Sequence, residues 1–489
     1  MVDTDHSPGR DFLKLSSVRE ADDLREHCRL QGIDLPVEDA YLPGGPMHSP
    51  LVTAAGDSPN RWAILPMEGW DGTAEGMPTD LTHRRWRNFG ASGAGLIWGG
   101  EAVAVRHDGR ANPHQLVLND RTARAVESLR EDLLAAHREA MGERSRPVIG
   151  LQLTHSGRWS RPNPGGKLEP WIAYQHPILD RRSGGGLPHH LMSDDDFARL
   201  IDQFIEAGAL AARCGFDFVD IKHCHGYLGH ELLGAVDRPG RFGGPLENRA
   251  RFLTEVAAGL KARVPGLALG VRLSIFDALP YTRGPGGVGV PEPWPGQYRH
   301  AFGGDGSGTG IDLREPVEFL HLANRAGVRL VCTTAASPYY NPHLQRPAAQ
   351  PPSDGYLPPE EPLAGVARQI QTTGSLKKQV PGMIWVGSAY SYLQDWVGPV
   401  AQAVVREGLA DMVGLGRMVL SYPDLIRDLE KGGPIDRKRI CRTLSDCTTA
   451  PRNGLVSGCY PLDPFYKARP EAVELRIIKG KLREGKSAN

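Results

Sequence analysis

The segment Phe218-Val-Asp-Ile-Lys-His-Cys-His-Gly-Tyr227 places a lysine, two histidines and a tyrosine directly after a short apolar run. A lysine beside an imidazole can hold and polarise an oxygen that gains negative charge, and a phenol can deliver a proton. Lys222, His225 and Tyr227 are therefore candidate catalytic residues, with Lys222 and His225 also candidates for holding substrate. His223, offset by one residue, is expected to point away. Lys222 also lies two residues after Asp220, on the same strand face, so neutralising Asp220 is its competing role. Gln152 and Arg272 fall near the ends of two further apolar runs. An arginine there can stabilise developing negative charge or pair with Asp220, and a glutamine amide can both donate and accept. Gly387-Ser388 and Gly416-Arg417 follow two more such runs and read as a phosphate cradle of backbone N–H groups with a nearby cation, or as plain turns. Glu68, after Pro66-Met67, is either a general base or a side chain turned outward into Gly69-Trp70-Asp71-Gly72.

These residues need strands to carry them. Eight candidates are legible, at 62–66, 95–98, 148–153, 218–221, 268–273, 330–333, 383–386 and 412–415, alternating with helical patterns. That is the pattern of an α/β fold of the (β/α)8 TIM-barrel type, in which polar residues at strand carboxyl ends are chemistry rather than packing. Before the fourth strand, Ser193 with Asp196 forms a capping-box start, and Phe197, Leu200, Ile201, Phe204, Ile205 and Ala209 repeat at helical spacing. The expected division is an extension over residues 1–50 that wraps or caps the barrel floor, with a helix around Val18 to Leu30, then a barrel over 51–432 and a C-terminal extension over 433–489. The Gly/Pro-rich stretch Pro280 to Gly310 and the Pro-rich stretch Tyr339 to Pro362 follow the fifth and sixth strands. They are expected to roof the site together, with solvated linker as the alternative.

The 489 residues carry 57 basic and 57 acidic side chains, a balance that gives no electrostatic footprint for nucleic acid or an anionic membrane. No apolar run is long enough to span a bilayer, and the start of the chain lacks signal-peptide regions, so a soluble cytoplasmic protein with a small-molecule substrate is expected. A homo-oligomer is left open. Seven cysteines, an odd count in a long chain, argue against a disulfide framework.

Taken together, Gly215-Phe-Asp-Phe-Val-Asp-Ile-Lys-His-Cys-His225-Gly-Tyr227-Leu and Phe242-Gly-Gly-Pro-Leu-Glu-Asn-Arg249-Ala-Arg-Phe resemble the Old Yellow Enzyme family of flavin mononucleotide (FMN) oxidoreductases. Asn60-Arg61 to Pro66-Met67, Gly93-Ala-Gly-Leu-Ile97, Gln152-Leu-Thr-His155-Ser-Gly-Arg158, Val271-Arg272-Leu-Ser274 and Ala410-Asp411 to Gly416-Arg417 extend the resemblance in order. It implies an FMN-dependent oxidoreductase fed by NADH or NADPH. It further implies that Gln152 and Arg272 contact the isoalloxazine, that Pro66, Met67, Glu101 and Ala102 line the flavin, and that Gly387, Ser388, Gly416 and Arg417 hold its phosphate. Tyr227 matches the residue that protonates a substrate carbon, and Trp70 lies where relatives line the substrate.

The chain departs from the family pattern in three places. Lys222 stands where an imidazole is usual, and Glu68 where a small residue is usual. Cys447 and Cys459, with Cys441 offset and Thr443 in a ligand position, resemble a degenerate [4Fe-4S] segment of the 2,4-dienoyl-CoA reductase and trimethylamine dehydrogenase branch. Three thiolates do not complete a four-cysteine set, so no cluster is expected, and a three-cysteine cluster is the minority reading. No later Gly-rich dinucleotide-binding unit is legible, so NAD(P)H is expected to reach the flavin directly. The expected reaction is hydride transfer to an alkene activated by a carbonyl or carboxylate. The alternative is a desaturase or aromatising dehydrogenase on a cyclic substrate, with Glu68 or His225 as base. Two remote alternatives are a flavin-free lyase with Lys222 as a Schiff-base lysine and a barrel that binds a ligand without turnover.

Overall fold

The computed structural model describes residues 12–184 and 189–487. Eight parallel strands close into a barrel: β1 (Trp62–Ile64), β2 (Leu96–Ile97), β3 (Val148–Thr154), β4 (Phe218–Ile221), β5 (Ala268–Ser274), β6 (Val328–Thr334), β7 (Ile384–Gly387) and β8 (Met412–Leu415). Each pairs with the next, and β8 returns to β1 with Leu415 opposite Ile64. All eight fall within a few residues of the sequence expectation, because a strand buried on both faces is a short unbroken apolar run. The barrel is filled by side chains: Trp98 meets Phe218 edge-on at 5.2 Å between ring centroids, with Ala63, Leu96, Val148, Leu330, Cys332 and Met412 around them. Gly150 is required there, since a Cβ would stand 2.2 Å from the Phe218 ring.

The second strand shows a feature the sequence did not reveal. After β2 the chain kinks at Gly99 (φ 137°) and Gly100 (φ 53°), where a Cβ would meet Gln152 N and the Trp86 ring at 2.7 and 2.8 Å. Ala102–Ala104 then rejoins the sheet beside the second half of β3. The kink divides two neighbours: Ala102 faces the strand ends, and Glu101 turns into an ion pair with Arg85.

Outside the strands lie α1 (Ala21–Gln31), α2 (Asp80–Ala91), α3 (Ala123–Met141), α4 (Asp194–Arg213), α5 (Arg251–Arg263), α6 (Arg314–Ala326), α7 (Pro362–Gln379) and α8 (Val397–Arg406). The capping box of α4 forms, with Ser193 Oγ accepting from Asp196 N at 3.1 Å, and Phe197, Leu200, Ile201 and Phe204 are buried. No helix among the described residues is long and apolar enough to cross a membrane.

The additions to the barrel sit differently from the expectation. Residues 12–48 lie along the outside, with Gln371 of α7 bonded to Asp34 O and Arg406 of α8 to Glu38. The floor is instead met by the hairpin of Leu51–Thr53 and Gly56–Ser58, whose Leu51 and Ala55 pack against the interior cluster. The stretches after β5 and β6 join each other: Tyr281 N donates to Tyr340 O and Gly289 N to Leu357 O. Asp277 binds them from below, accepting from Tyr340 Oη at 2.6 Å and Asn341 Nδ2 at 3.2 Å. The C-terminal segment lies across the strand ends, with Asp463 held by Arg84 and Ser457 Oγ accepting from Trp70 N at 2.8 Å.

Candidate active site

At the carboxyl ends of the strands lies a cavity of about 560 Å³. Of the residues singled out in the sequence, Pro66, Met67, Glu68, Trp70, Ala102, Gln152, Lys222, His225, Tyr227, Arg272, Ser388, Gly416 and Arg417 line it. Glu101 and Gly387 do not. The Glu101 carboxylate is buried against Arg85 at 2.8 Å and accepts from Gly69 N, so its role is to fix the 67–71 turn from behind. Gly387 is the last residue of β7, and its carbonyl packs against Gly414 of β8.

The polar floor of the cavity centres on Asp220. Its carboxylate accepts from Trp98 Nε1 and Gln152 Nε2, both at 2.6 Å, and from the backbone N of Arg272 at 2.7 Å. The side-chain ion pair that is the competing reading for Arg272 is thus replaced by a main-chain bond. The Arg272 guanidinium instead reaches across to Pro66 O at 3.2 Å, and its buried Nε has no partner. Lys222 does not pair with Asp220 either. Its ammonium sits 3.9 Å from the centroid of the Tyr227 ring, and burial lowers its pKa, opposed by the nearby Cys224 and Glu68.

His225 occupies a left-handed backbone conformation (φ 66°), held by Ser274 Oγ on its N–H and by the Ser337 hydroxyl on its carbonyl. Gln345 Nε2 donates to its Nε2 at 3.1 Å, which assigns the ring hydrogen to Nδ1. Burial and the charges of Arg272 and Lys222 push its pKa well below the usual value, so the imidazole is neutral. His223 points out of the barrel, its Nδ1 bonded to Ile221 O and its ring between Phe252 and Phe319. Glu68 turns inward rather than out. Tyr227 Oη donates to its Oε2, Tyr339 Oη lies 2.9 Å from Tyr227 Oη, and Asn112 Nδ2 is 3.4 Å from Glu68 Oε1. Burial, then Glu68 and Tyr339, raise the Tyr227 phenol pKa well above its ordinary value.

At the other end are two buried arginines. Arg417 bonds Pro347 O at 3.2 Å and keeps Nη1 unpartnered, and Arg346, tethered to Thr448, leaves Nε and Nη2 unpartnered. Burial and the like charge of Arg417 bring the Arg346 pKa down to about 9. Two buried cations with free N–H groups on one cavity call for an anion. Beside them Ser388 and Ala389 (φ 77°) turn the chain, and a Cβ on Gly416 would meet nothing nearer than Met67 Sδ at 4.0 Å, so its backbone faces open space.

Similarity to known proteins points the same way. Residues 58–284 match the family described as NADH:flavin oxidoreductase / NADH oxidase. An NADPH dehydrogenase of Bacillus velezensis is 30% identical over 359 residues, spanning 73% of this chain and 84% of the relative. The chain belongs to the NADH:flavin oxidoreductase, or Old Yellow Enzyme, family. It is accordingly an FMN-dependent NAD(P)H oxidoreductase, and the flavin-free lyase reading of Lys222 falls away. The fold agrees: an Old Yellow Enzyme homologue from Zymomonas mobilis superposes with a TM-score of 0.55 at 20% identity, covering 80% of this chain and 94% of that one. A 2-naphthoyl-CoA reductase in complex with 2-naphthoyl-CoA gives a TM-score of 0.65 at 18% identity, covering 86% of this chain, which spans 57% of the other's length.

The family's FMN fits the residues present. The unpartnered guanidinium groups of Arg346 and Arg417 suit its phosphate, and Gln152 with the unpartnered Arg272 Nε suits a polar ring edge. Sequence reasoning missed Tyr339, Gln345 and Arg346, all from the loop after β6, and the C-terminal wall of Cys447, Thr448, Arg452 and Ser457. The loop after β5 contributes no lining residue and buttresses the loop after β6. Cys441 and Cys459 are buried away from the cavity with thiol pKa values raised by burial, while Cys447 lines it. Among the described residues no group of three or more His, Cys, Asp or Glu side chains is placed to hold a metal ion.

Proposed function

We propose that this protein reduces the C=C bond of an alkene conjugated to a carbonyl or carboxylate, with NADH or NADPH as electron donor. The observation that carries this reading is the convergence of Lys222, the His225 imidazole and the Tyr227 phenol on one cavity beside Gln152 and Arg272. FMN bound there supplies hydride transfer. Gln152, Arg272, Pro66, Met67 and Ala102 are assigned to its ring, and Ser388, Gly416, Arg417 and Arg346 to its phosphate.

The chain's own part is polarisation and proton supply. Lys222 and His225 hold the activating oxygen of the substrate, and the lysine's charge favours a substrate that becomes, or already is, an oxyanion. Tyr227 carries the proton for the adjacent carbon. Trp70 and Tyr339 offer apolar walls for a flat substrate, the Tyr339 ring being backed by Trp159, stacked 4.4 Å away at 9°. The three C-terminal cysteines are read as structural thiols without a cluster.

The reverse direction, desaturation of a cyclic substrate, is the second reading. It is favoured by one observation: the Tyr227 hydrogen is already directed at a carboxylate, Glu68. Anaerobic addition of NADH, then NADPH, to the yellow holoenzyme separates the two. Bleaching of the flavin band, restored by an α,β-unsaturated ketone, is expected; a band that bleaches only with a saturated cyclic ketone overturns the reductase reading.

A further inference from the structure

Glu68 has no counterpart among the small residues that the family pattern places at this position, and the structure turns it into the site rather than away. Its Oε2 accepts the phenol hydrogen of Tyr227, and the Tyr227 oxygen lies 2.9 Å from the Tyr339 hydroxyl. The geometry carries a constraint. While Glu68 is a carboxylate the Tyr227 hydrogen is committed to it, so Tyr227 cannot aim that hydrogen at a substrate. Once Glu68 carries a proton, its own O–H can donate to the Tyr227 oxygen and the phenol hydrogen is released toward the cavity.

We propose that Glu68 is the proton store of this active site, refilling Tyr227 when the phenol gives its hydrogen to a substrate carbon and taking that hydrogen back when a substrate C–H bond is broken. The proposal rests on the alkene oxidoreduction read above. In reduction, the Tyr227 O–H bond breaks as the new C–H bond forms, and the phenol oxygen takes the hydrogen of the Glu68 carboxyl group. The resulting carboxylate recovers a proton from water. The second hydrogen and both electrons come from NAD(P)H, the reductant of the family's activity. Glu68 acts through Tyr227 and is a positioning residue with a proton of its own.

The surroundings suit this traffic. Lys222 from the end of β4 sits 3.9 Å over the Tyr227 ring and stabilises a transient phenolate. The titratable and charged groups facing Glu68 are Tyr227 and Lys222 from the end of β4 and Tyr339 from the loop after β6, with the Asn112 amide holding the other carboxylate oxygen. Protonated Glu68 therefore supports reduction and ionised Glu68 supports desaturation.

The test uses holoenzyme labelled with 13C at tyrosine Cζ, alongside anaerobic stopped-flow oxidation of the NAD(P)H-reduced enzyme by 2-cyclohexen-1-one. In wild type the oxidation rate falls with rising pH by about tenfold per pH unit, the slope of a step that requires one bound proton. Glu68→Gln removes that limb and leaves a slow, pH-flat rate. Glu68→Asp retains the limb at a lower rate. In the NMR titration, one tyrosine of Glu68→Gln ionises at lower pH than in wild type, because the neighbouring negative charge is gone, and that resonance is absent from Glu68→Gln/Tyr227→Phe. A Glu68→Gln enzyme that keeps the wild-type pH limb, or a tyrosine titration unmoved by the substitution, overturns the proposal. A shifted titration with no oxidation by any activated alkene overturns the alkene reading and supports the Glu68–Tyr227 proton coupling.

Discussion

At the scale of single residues, the site is governed by buried charges that the fold leaves partly unsatisfied. Arg346 and Arg417 are the sharpest case, two adjacent guanidinium groups with unpartnered N–H donors. Replacing Arg417 with Ala should give folded protein whose FMN affinity drops by about ten- to a hundredfold, the loss of one charged hydrogen-bonding group, and Arg346→Ala should do the same. Ultrafiltration with visible absorbance of the retained protein measures this, and unchanged flavin retention by both variants refutes the phosphate assignment. Arg417 was legible because it follows a glycine at the end of an apolar run. Arg346 was not, since it lies in a Pro-rich loop where no periodicity marks which side chain turns inward. The same holds for Gln345, whose amide fixes the His225 tautomer: only tertiary packing brings it within 3.1 Å. Tyr227→Phe should slow oxidation of the reduced enzyme by an alkene by about a hundredfold or more while sparing flavin reduction by NAD(P)H, the usual size of a general-acid contribution. Equal loss in both half-reactions, measured by stopped-flow absorbance, removes Tyr227 from the proton path.

At the scale of elements, the strands were readable because a parallel strand buried on both faces writes an unbroken apolar run, whereas the loops carry their information in contacts. The stretches after β5 and β6 looked alike in composition, yet only the latter reaches the cavity, and the former's hairpin of Tyr281–Arg283 and Gly289–Pro291 stands behind it. Likewise, nothing in a run of residues announces that Gly99 and Gly100 will split β2, sending Ala102 toward the site and Glu101 away from it. A glycine inside a strand does announce close packing, and Gly150 is one. Gly150→Ala should lower stability by about 1–3 kcal/mol, the range for overpacking a filled core, because the new methyl meets the Phe218 ring. Thermal unfolding followed by flavin fluorescence tests this, and an unchanged midpoint would show that the ring has room to move.

At the scale of the whole molecule, a buried carboxylate is among the groups that join barrel and roof, and that junction gives stability a pH dependence of definite sign. Asp277 follows β5 and accepts from Tyr340 and Asn341 of the loop after β6, while burial lifts its pKa to about 6. His230, 3.6 Å away, has its own pKa lowered to about 3 by burial and offers no compensating positive charge at neutral pH. The folded state thus binds the Asp277 proton more tightly than the unfolded chain, whose aspartate titrates near the ordinary value of about 3.9. Between those two values folding takes up a proton, so the stability owed to this group is present at low pH and is lost as pH rises through about 6. The loss amounts to about 2–3 kcal/mol for one group with a shift of this size. Asp277→Asn, which keeps a carbonyl acceptor and cannot ionise, should flatten the decline in unfolding free energy between about pH 4 and 6. Denaturant unfolding across that range, with hydrogen exchange of the amides at 335–361 as the local readout, decides it. A decline that persists in Asp277→Asn would assign the pH dependence to other buried carboxylates.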